Sequence, residues 1–398
     1  MTRAAIDRLA RVIAATLATM PFMSLSARAD TTSGVGMSGS LEYSSNPYLL
    51  DAGTRSVTRG RVLISPFVEE RTARSSLRVS GDASFSKFSR RYRDAVDLSA
   101  VVGYTNRVTS QLLMTANVSI NSTIGGTYNT APVFSATPPG STVPPITDFT
   151  VIGTQDRTTQ AQASTGVNYT IDPKNSLSLS YSGSVLRYPV GVVRDEYSTV
   201  SQNAGYTRVL NSRISAGGSV SVTRINYFNT KFGDAVIISP SLNGNFRISS
   251  QWSLSAGIGV SKSRLTVVSG RLTSTNLSGN FNACRTDARM NFCLNASRAT
   301  GASSFDGIRV TTTVGASMEY KVNARDKFTA SGGLSRASVP DIGLPGTASQ
   351  YLSGQTGYSR QFNSRLTGAV SGGFTEITQL GRRSNAFASI GITYNFGR

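Results

Sequence analysis

Apolar and polar residues alternate with a period of two along nearly the whole chain, the signature of β-strands with two unlike faces. In 252–260, Trp252, Leu254, Ala256, Ile258 and Val260 alternate with Ser253, Ser255, Gly257 and Gly259. In 158–170, Thr159, Ala161, Ala163, Val167 and Tyr169 alternate with Gln160, Gln162, Ser164 and Asn168. Segments of this kind predict eighteen strands near 34–45, 57–70, 75–87, 94–106, 110–122, 154–170, 175–187, 195–209, 213–228, 234–247, 251–266, 271–283, 288–298, 308–322, 327–337, 348–361, 364–376 and 384–396. Those at 195–209 and 271–283 alternate poorly, so sixteen is the second count. The class is all-β, as an antiparallel up-and-down barrel, and an even strand number puts both ends on one side.

Alternation alone does not say which face is inside. A soluble barrel encloses its apolar face, and a membrane barrel turns that face to lipid around a wet lumen. A repeat of aromatics favours the membrane: Tyr104, Tyr169, Tyr206, Phe246, Phe281, Tyr320, Tyr358 and Tyr394 recur at gaps of 65, 37, 40, 35, 39, 38 and 36 residues. One aromatic thus closes every second strand just before a short polar turn, as in GYTNR, NYTID, GYTRV, NFRIS, EYKVN and GYSRQ. That spacing predicts an interfacial girdle above tight periplasmic turns.

The beginning of the chain predicts export. Arg3, Arg8 and Arg11 precede an uncharged stretch, Val12 to Ala27, and Ala27-Arg28-Ala29 supplies small residues for cleavage after Ala29. Residues 1–29 are therefore expected to be a signal peptide and 30–398 one barrel domain. No later segment reaches the ~20 apolar residues of a spanning helix. The composition agrees, with 38 glycines and only 15 % charged residues. The formal charge is +19, and removing four Arg and one Asp with residues 1–29 leaves 19 − 4 + 1 = +16. The cations are spread through turns and strand ends without a nucleic-acid module, so lipopolysaccharide phosphates and anionic solutes or polymers are the expected partners, and nucleic acid is not.

Catalytic chemistry has little to work with. The chain has no histidine, which excludes a Ser-His-Asp hydrolase, and no cofactor or metal set is visible. Asp82 and Asp97 fall on the expected lumen phase of neighbouring strands with Arg78 nearby, and a charged lumen wall explains them. Cys284 and Cys293 flank a turn on the same phase; bonded and free forms both stay open. Five of the thirteen prolines, Pro132, Pro138, Pro139, Pro144 and Pro145, lie between Ser122 and Gly153, which predicts the longest outward loop. Pro66 and Pro240 recur in matching Ser-Pro contexts on the apolar phase and predict paired bulges. The chain ends with Ala386, Ala388, Ile390, Ile392, Tyr394 and Phe396 on one phase, which resembles the closing strand that outer-membrane barrels present to their assembly machinery, with Tyr394 and Phe396 as its signal.

From Glu42-Tyr43-Ser44-Ser45-Asn46-Pro47, through the Ser-Pro strands, to Leu277-Ser278-Gly279-Asn280-Phe281 and the Arg-rich turn after it, the chain resembles β-barrel porins found beside exopolysaccharide and capsule biosynthesis systems of proteobacteria. The resemblance implies an outer-membrane role in polysaccharide production or secretion, with periplasmic export partners and no catalytic residues. Two other functions remain open on the residues alone: a passive anion-preferring porin, and a structural or adhesive surface protein.

Overall fold

In a computed structural model of the protein, residues 30–50, 56–90, 92–124, 156–189, 195–228, 232–267, 270–304, 307–338, 348–378 and 381–397 are described. The expected signal peptide and the proline-rich segment from Pro132 to Pro145 lie outside them.

Eighteen strands form one sheet. They are β1 (Asp30–Ser44), β2 (Val57–Arg71), β3 (Ser75–Phe88), β4 (Ala95–Arg107), β5 (Leu112–Ile124), β6 (Arg157–Asp172), β7 (Asn175–Arg187), β8 (Tyr197–Val209), β9 (Ile214–Tyr227), β10 (Phe232–Arg247), β11 (Trp252–Val267), β12 (Gly270–Thr286), β13 (Met290–Ser303), β14 (Gly307–Lys321), β15 (Asp326–Ser338), β16 (Ser349–Gln361), β17 (Leu366–Thr378) and β18 (Arg382–Gly397). Every sequential pair is antiparallel, and β18 returns to β1 over Gly34↔Gly397 to Ser44↔Phe387. The sheet closes, so no edge strand is left open. The two poorly alternating segments are full strands, β8 and β12, because pairing with both neighbours satisfies the backbone whatever the side-chain pattern.

Eight turns of two to four residues lie at one end, with Asp30 and Gly397, and at the other the connections run from two residues, 268–269, to thirty-two, 125–156. In all eight short turns the first residue is Thr72, Thr109, Asp172, Asn211, Ser249, Asp287, Asn323 or Asn363. Its side-chain oxygen accepts from the backbone N–H groups two and three residues on, at 2.7–3.3 Å. This is the Asx or ST turn, which closes the hairpin without glycine.

Pro66 and Pro240 do not mark bulges. The β2–β3 register continues from Ile64↔Ala83 to Phe67↔Ser80, and β10–β11 from Ile238↔Lys262 to Ser241↔Gly259, without a shift. Each proline is skipped in one ladder only, because it lacks the N–H that the ladder uses.

Candidate channel lumen

Paired residues in an antiparallel sheet share a face, so one exposed apolar residue fixes the phase of every strand. Leu41, Leu179, Leu242, Ile258, Leu277 and Ile390 are 58–70 % exposed and belong to the outer face. Tyr169, Tyr206, Phe246, Phe281, Tyr320 and Tyr358 share it near the short-turn end and are 38–43 % exposed. Tyr104 is also on that phase, between Leu77 and Ala116, but only 9 % exposed. Tyr394 and Phe396 stand at the closing seam, opposite Met37 and Val35, with ring centroids 4.4 Å apart.

The inner wall toward the short turns is lined by small polar residues. Hydroxyls bond across neighbouring strands at Ser201–Thr223, Ser219–Ser241 and Ser371–Ser389, 2.7–2.8 Å. Asn243, Asn245, Asn280, Asn282 and Asn295 add amides on the same phase. Cys284 and Cys293 are direct cross-strand partners there, joined as a disulfide.

Charge concentrates on β1–β4. Arg59 donates to Glu42 at 2.6 Å, both side chains at most 7 % exposed. Glu69 accepts from Arg71 and from Arg78 at 3.2 Å, while the Arg78 guanidinium lies 5.3 Å from the Phe67 ring centroid. Asp82 accepts from Ser65 at 2.6 Å and Ser99 at 3.2 Å; Asp97 accepts from Ser84 at 3.5 Å and the Ile124 N–H at 3.1 Å. Arg78, Asp82 and Asp97 thus share the inner wall, but Arg78 is bound to Glu69, and each aspartate is held by hydroxyl or amide donors. The buried Glu42–Arg59 pair was not singled out by sequence, although both residues sit on the lumen phase.

At the long-loop end the inner face changes character. Leu186, Tyr197, Ile225, Tyr227, Ala235, Ile237 and Leu265 from β7–β11 pack into one buried cluster with Ile308. Tyr188 donates to Ser304 Oγ at 2.9 Å, and Tyr227 donates to the Gly307 carbonyl, so the β13–β14 connection is tied to strands six and five places away in the sheet. Opposite, the connection after β1 folds inward. Asn385 Oδ1 accepts from Ser44 Oγ and the Asn46 N–H, both at 2.8 Å, and Asn46 bonds Leu50 through both side-chain amide atoms, at 3.0 and 3.1 Å. Tyr48 enters a cluster with Val57, Phe88 and Ala95, while Leu49, fully buried, enters another with Ala337, Tyr351 and Ile377. Leu49 has φ +51°, a left-handed backbone that costs ~1–2 kcal/mol for a residue with a Cβ. Burial of its side chain and the Asn46 and Asn385 bonds hold it there. The Ser44-Ser45-Asn46-Pro47 string therefore folds the strap of an apolar collar, a role its composition does not reveal.

Among the described residues no group of three or more potential ligands is placed to hold a metal ion, and no helix is long and apolar enough to cross a membrane.

No protein-family model matches this sequence, and neither does any curated protein. Among solved structures, the chain is similar to Pseudomonas aeruginosa OpdL, with 10 % identity, 92 % of this chain and 99 % of that one covered, and a TM-score of 0.45. For the outer membrane channel DcaP of Acinetobacter baumannii the values are 13 %, 92 %, 97 % and 0.45, and for the FrpB iron transporter of Neisseria meningitidis 9 %, 92 %, 81 % and 0.47. These superpositions are loose, so the closed barrel rests on its own hydrogen-bonded register.

Proposed function

We propose that the protein is an outer-membrane channel for small polar solutes, with the short turns in the periplasm and the apolar collar as its extracellular constriction. The observation that carries this reading is the closed eighteen-strand wall with an apolar outer band and a small, polar inner face. Lipid can solvate the first face and water the second, whereas a soluble barrel would expose the band to water. The aromatic row stands where an inner-leaflet interface would meet it. The inner charges are largely paired on β1–β4, so selectivity for anions is weak. Apolar constrictions restrict passage by excluding water, and the strap after β1 sets the aperture.

A second reading, passage of polysaccharide, is favoured by the inner wall of β5–β13, uncharged away from the short-turn rim, whose hydroxyls and amides suit a polyhydroxylated chain. No enzyme activity is assigned under either reading.

Fractionation should recover the protein in the outer membrane with heat-modifiable mobility, and recovery as a soluble periplasmic protein would sink both readings. In planar bilayers Leu49→Ser should raise single-channel conductance at least about twofold by wetting the collar. Unchanged conductance would show that the strap is not the constriction.

A further inference from the structure

The eight short turns carry a second regularity that their geometry does not require. Their third residues are Arg74, Gln111, Lys174, Arg213, Gln251, Arg289, Arg325 and Arg365, six cations in eight places. The turn is closed by the first residue's oxygen, and glutamine serves as well as arginine at two of the eight. None of the six has a positive φ, so conformation does not select them. All six are exposed, and none makes an ion pair among the described residues. Of the carboxylates at this end, Asp30 and Glu70 pair with none of the six among the described residues, and the others are engaged elsewhere. Asp172 and Asp287 accept from their own turns, Glu69 is bound by Arg71 and Arg78, Glu319 by Lys327, and Asp326 by Tyr358 and Arg360.

The spacing decides what such a ring can hold. Strands ~4.8 Å apart and tilted ~40° put successive short turns ~12 Å apart around a rim ~36 Å across. Lys174–Arg213, Arg289–Arg325 and Arg325–Arg365 stand at that separation, close to the ~10 Å Debye length at 0.1 M salt, so these neighbours act together. Gln111, Gln251 and the β18–β1 seam roughly double the other three gaps, and opposite cations do not couple. A single small anion meets one guanidinium and gains little. A chain bearing regularly repeated carboxylates meets several in succession, and each contact after the first is intramolecular.

We propose that the short-turn rim is a docking ring for a linear polyanion, a carboxylate-bearing polysaccharide that reaches the barrel from the periplasm. This rests on the second reading, passage of polysaccharide through the barrel, and on its orientation with the short turns in the periplasm. It adds a substrate class and a side of entry: the ring gathers the anionic chain at the rim, and the amide- and hydroxyl-lined wall lies directly beyond.

The test uses the full-length barrel in detergent and in planar bilayers, with polygalacturonate as probe, its monomer galacturonate and neutral dextran as controls. Fluorescent polygalacturonate should bind the detergent-solubilised barrel, and affinity should fall at least about tenfold between 0.05 and 0.5 M salt. Replacing Arg74, Lys174, Arg213, Arg289, Arg325 and Arg365 by Gln should abolish binding. Replacing Arg224, Lys262, Arg264 and Arg271, outward-facing cations near the other end, should not. In bilayers the polymer should block current from the short-turn side alone, and neither monomer nor dextran should block. Binding that survives the sixfold substitution, block from both sides, or equal block by dextran would overturn the proposal. If the sixfold variant binds polymer normally but inserts poorly into phosphatidylglycerol vesicles, the ring is a lipid anchor and the proposal is wrong. A barrel that binds polymer without conducting would fault the channel reading while leaving the ring in place.

Discussion

The two ends of the barrel wall use opposite polarity. Along β9 toward the short turns, Val220 faces outward and Ser219 and Ser221 inward; a few residues on, Arg224 and Asn226 face outward while Ile225 and Tyr227 are buried inside. On β11 the same inversion runs from Ile258 and Val260 outside to Lys262 and Arg264 outside, with Leu265 inside. Register and phase are continuous through the change, so only the surroundings differ. Below it the outer face suits lipid and the inner face water. Above it the outer face suits water and the inner face a packed core. The boundary lies roughly ten residues above the short turns, ~26 Å at 3.4 Å per residue and a ~40° tilt, which matches the ~25 Å apolar band of a membrane barrel.

Two ion pairs sharpen the comparison most. Glu42–Arg59 lies where the inner face is packed, and Glu319–Lys327, at 3.2 Å with side chains 40 % and 44 % exposed, lies in the wet part. Glu42→Gln should destabilise the barrel by ~3 kcal/mol, because it removes the carboxylate facing a buried guanidinium. Glu319→Gln should cost less than ~1 kcal/mol, as exposed pairs do. Urea unfolding in lipid vesicles measures both, and equal losses would show that the collar end is not dry.

Arginine scanning of the outer face tests the boundary itself. Leu242→Arg, on the exposed apolar band, should cost ~2–4 kcal/mol in vesicles, whereas Asn226→Arg, above the inversion, should stay within ~0.5 kcal/mol. A comparable cost at both positions would break the assignment of the lipid band.

The smallest effect concerns pH at a single turn. The backbone N–H groups of Arg289 and Met290 hold the Asp287 carboxyl below its ordinary value. The folded turn favours the charged form, so its stabilisation is present above the unfolded value of about 3.9 and disappears as pH falls through the depressed folded value. Amide exchange at Arg289 and Met290, corrected for intrinsic rates, should accelerate as pH drops from 5 to 3. Asp287→Ala should remove that dependence, and a flat profile in the unaltered protein would contradict the turn geometry.

Most of the wall was legible in the sequence, because a strand's two-residue period is a local property. All eighteen segments are strands, and the greatest differences are ends: β1 begins at Asp30 instead of 34 and β13 runs to Ser303 instead of 298. Both extensions are held by neighbours, β1 by Asp30↔Arg71 and β13 by Ser303↔Gly307, and a single strand cannot announce such support. The turn signature of a hydroxyl, Asn or Asp two residues before a cation was present in the letters. It becomes visible as a ring only once the turns are known to share one end.

Alternation, the even strand count and the closing aromatic strand follow from the order of residues, since propensity and side-chain phase act between neighbours along the chain. The collar was decided by tertiary structure alone. Leu49 reads as a loop residue, and nothing within several positions of it calls for burial. It is buried because β15, β16 and β17, close to 300 residues later, curve round to present Ala337, Tyr351 and Ile377. Asn385 on the last strand ties the strap of the first connection, so that contact exists only after the barrel has closed.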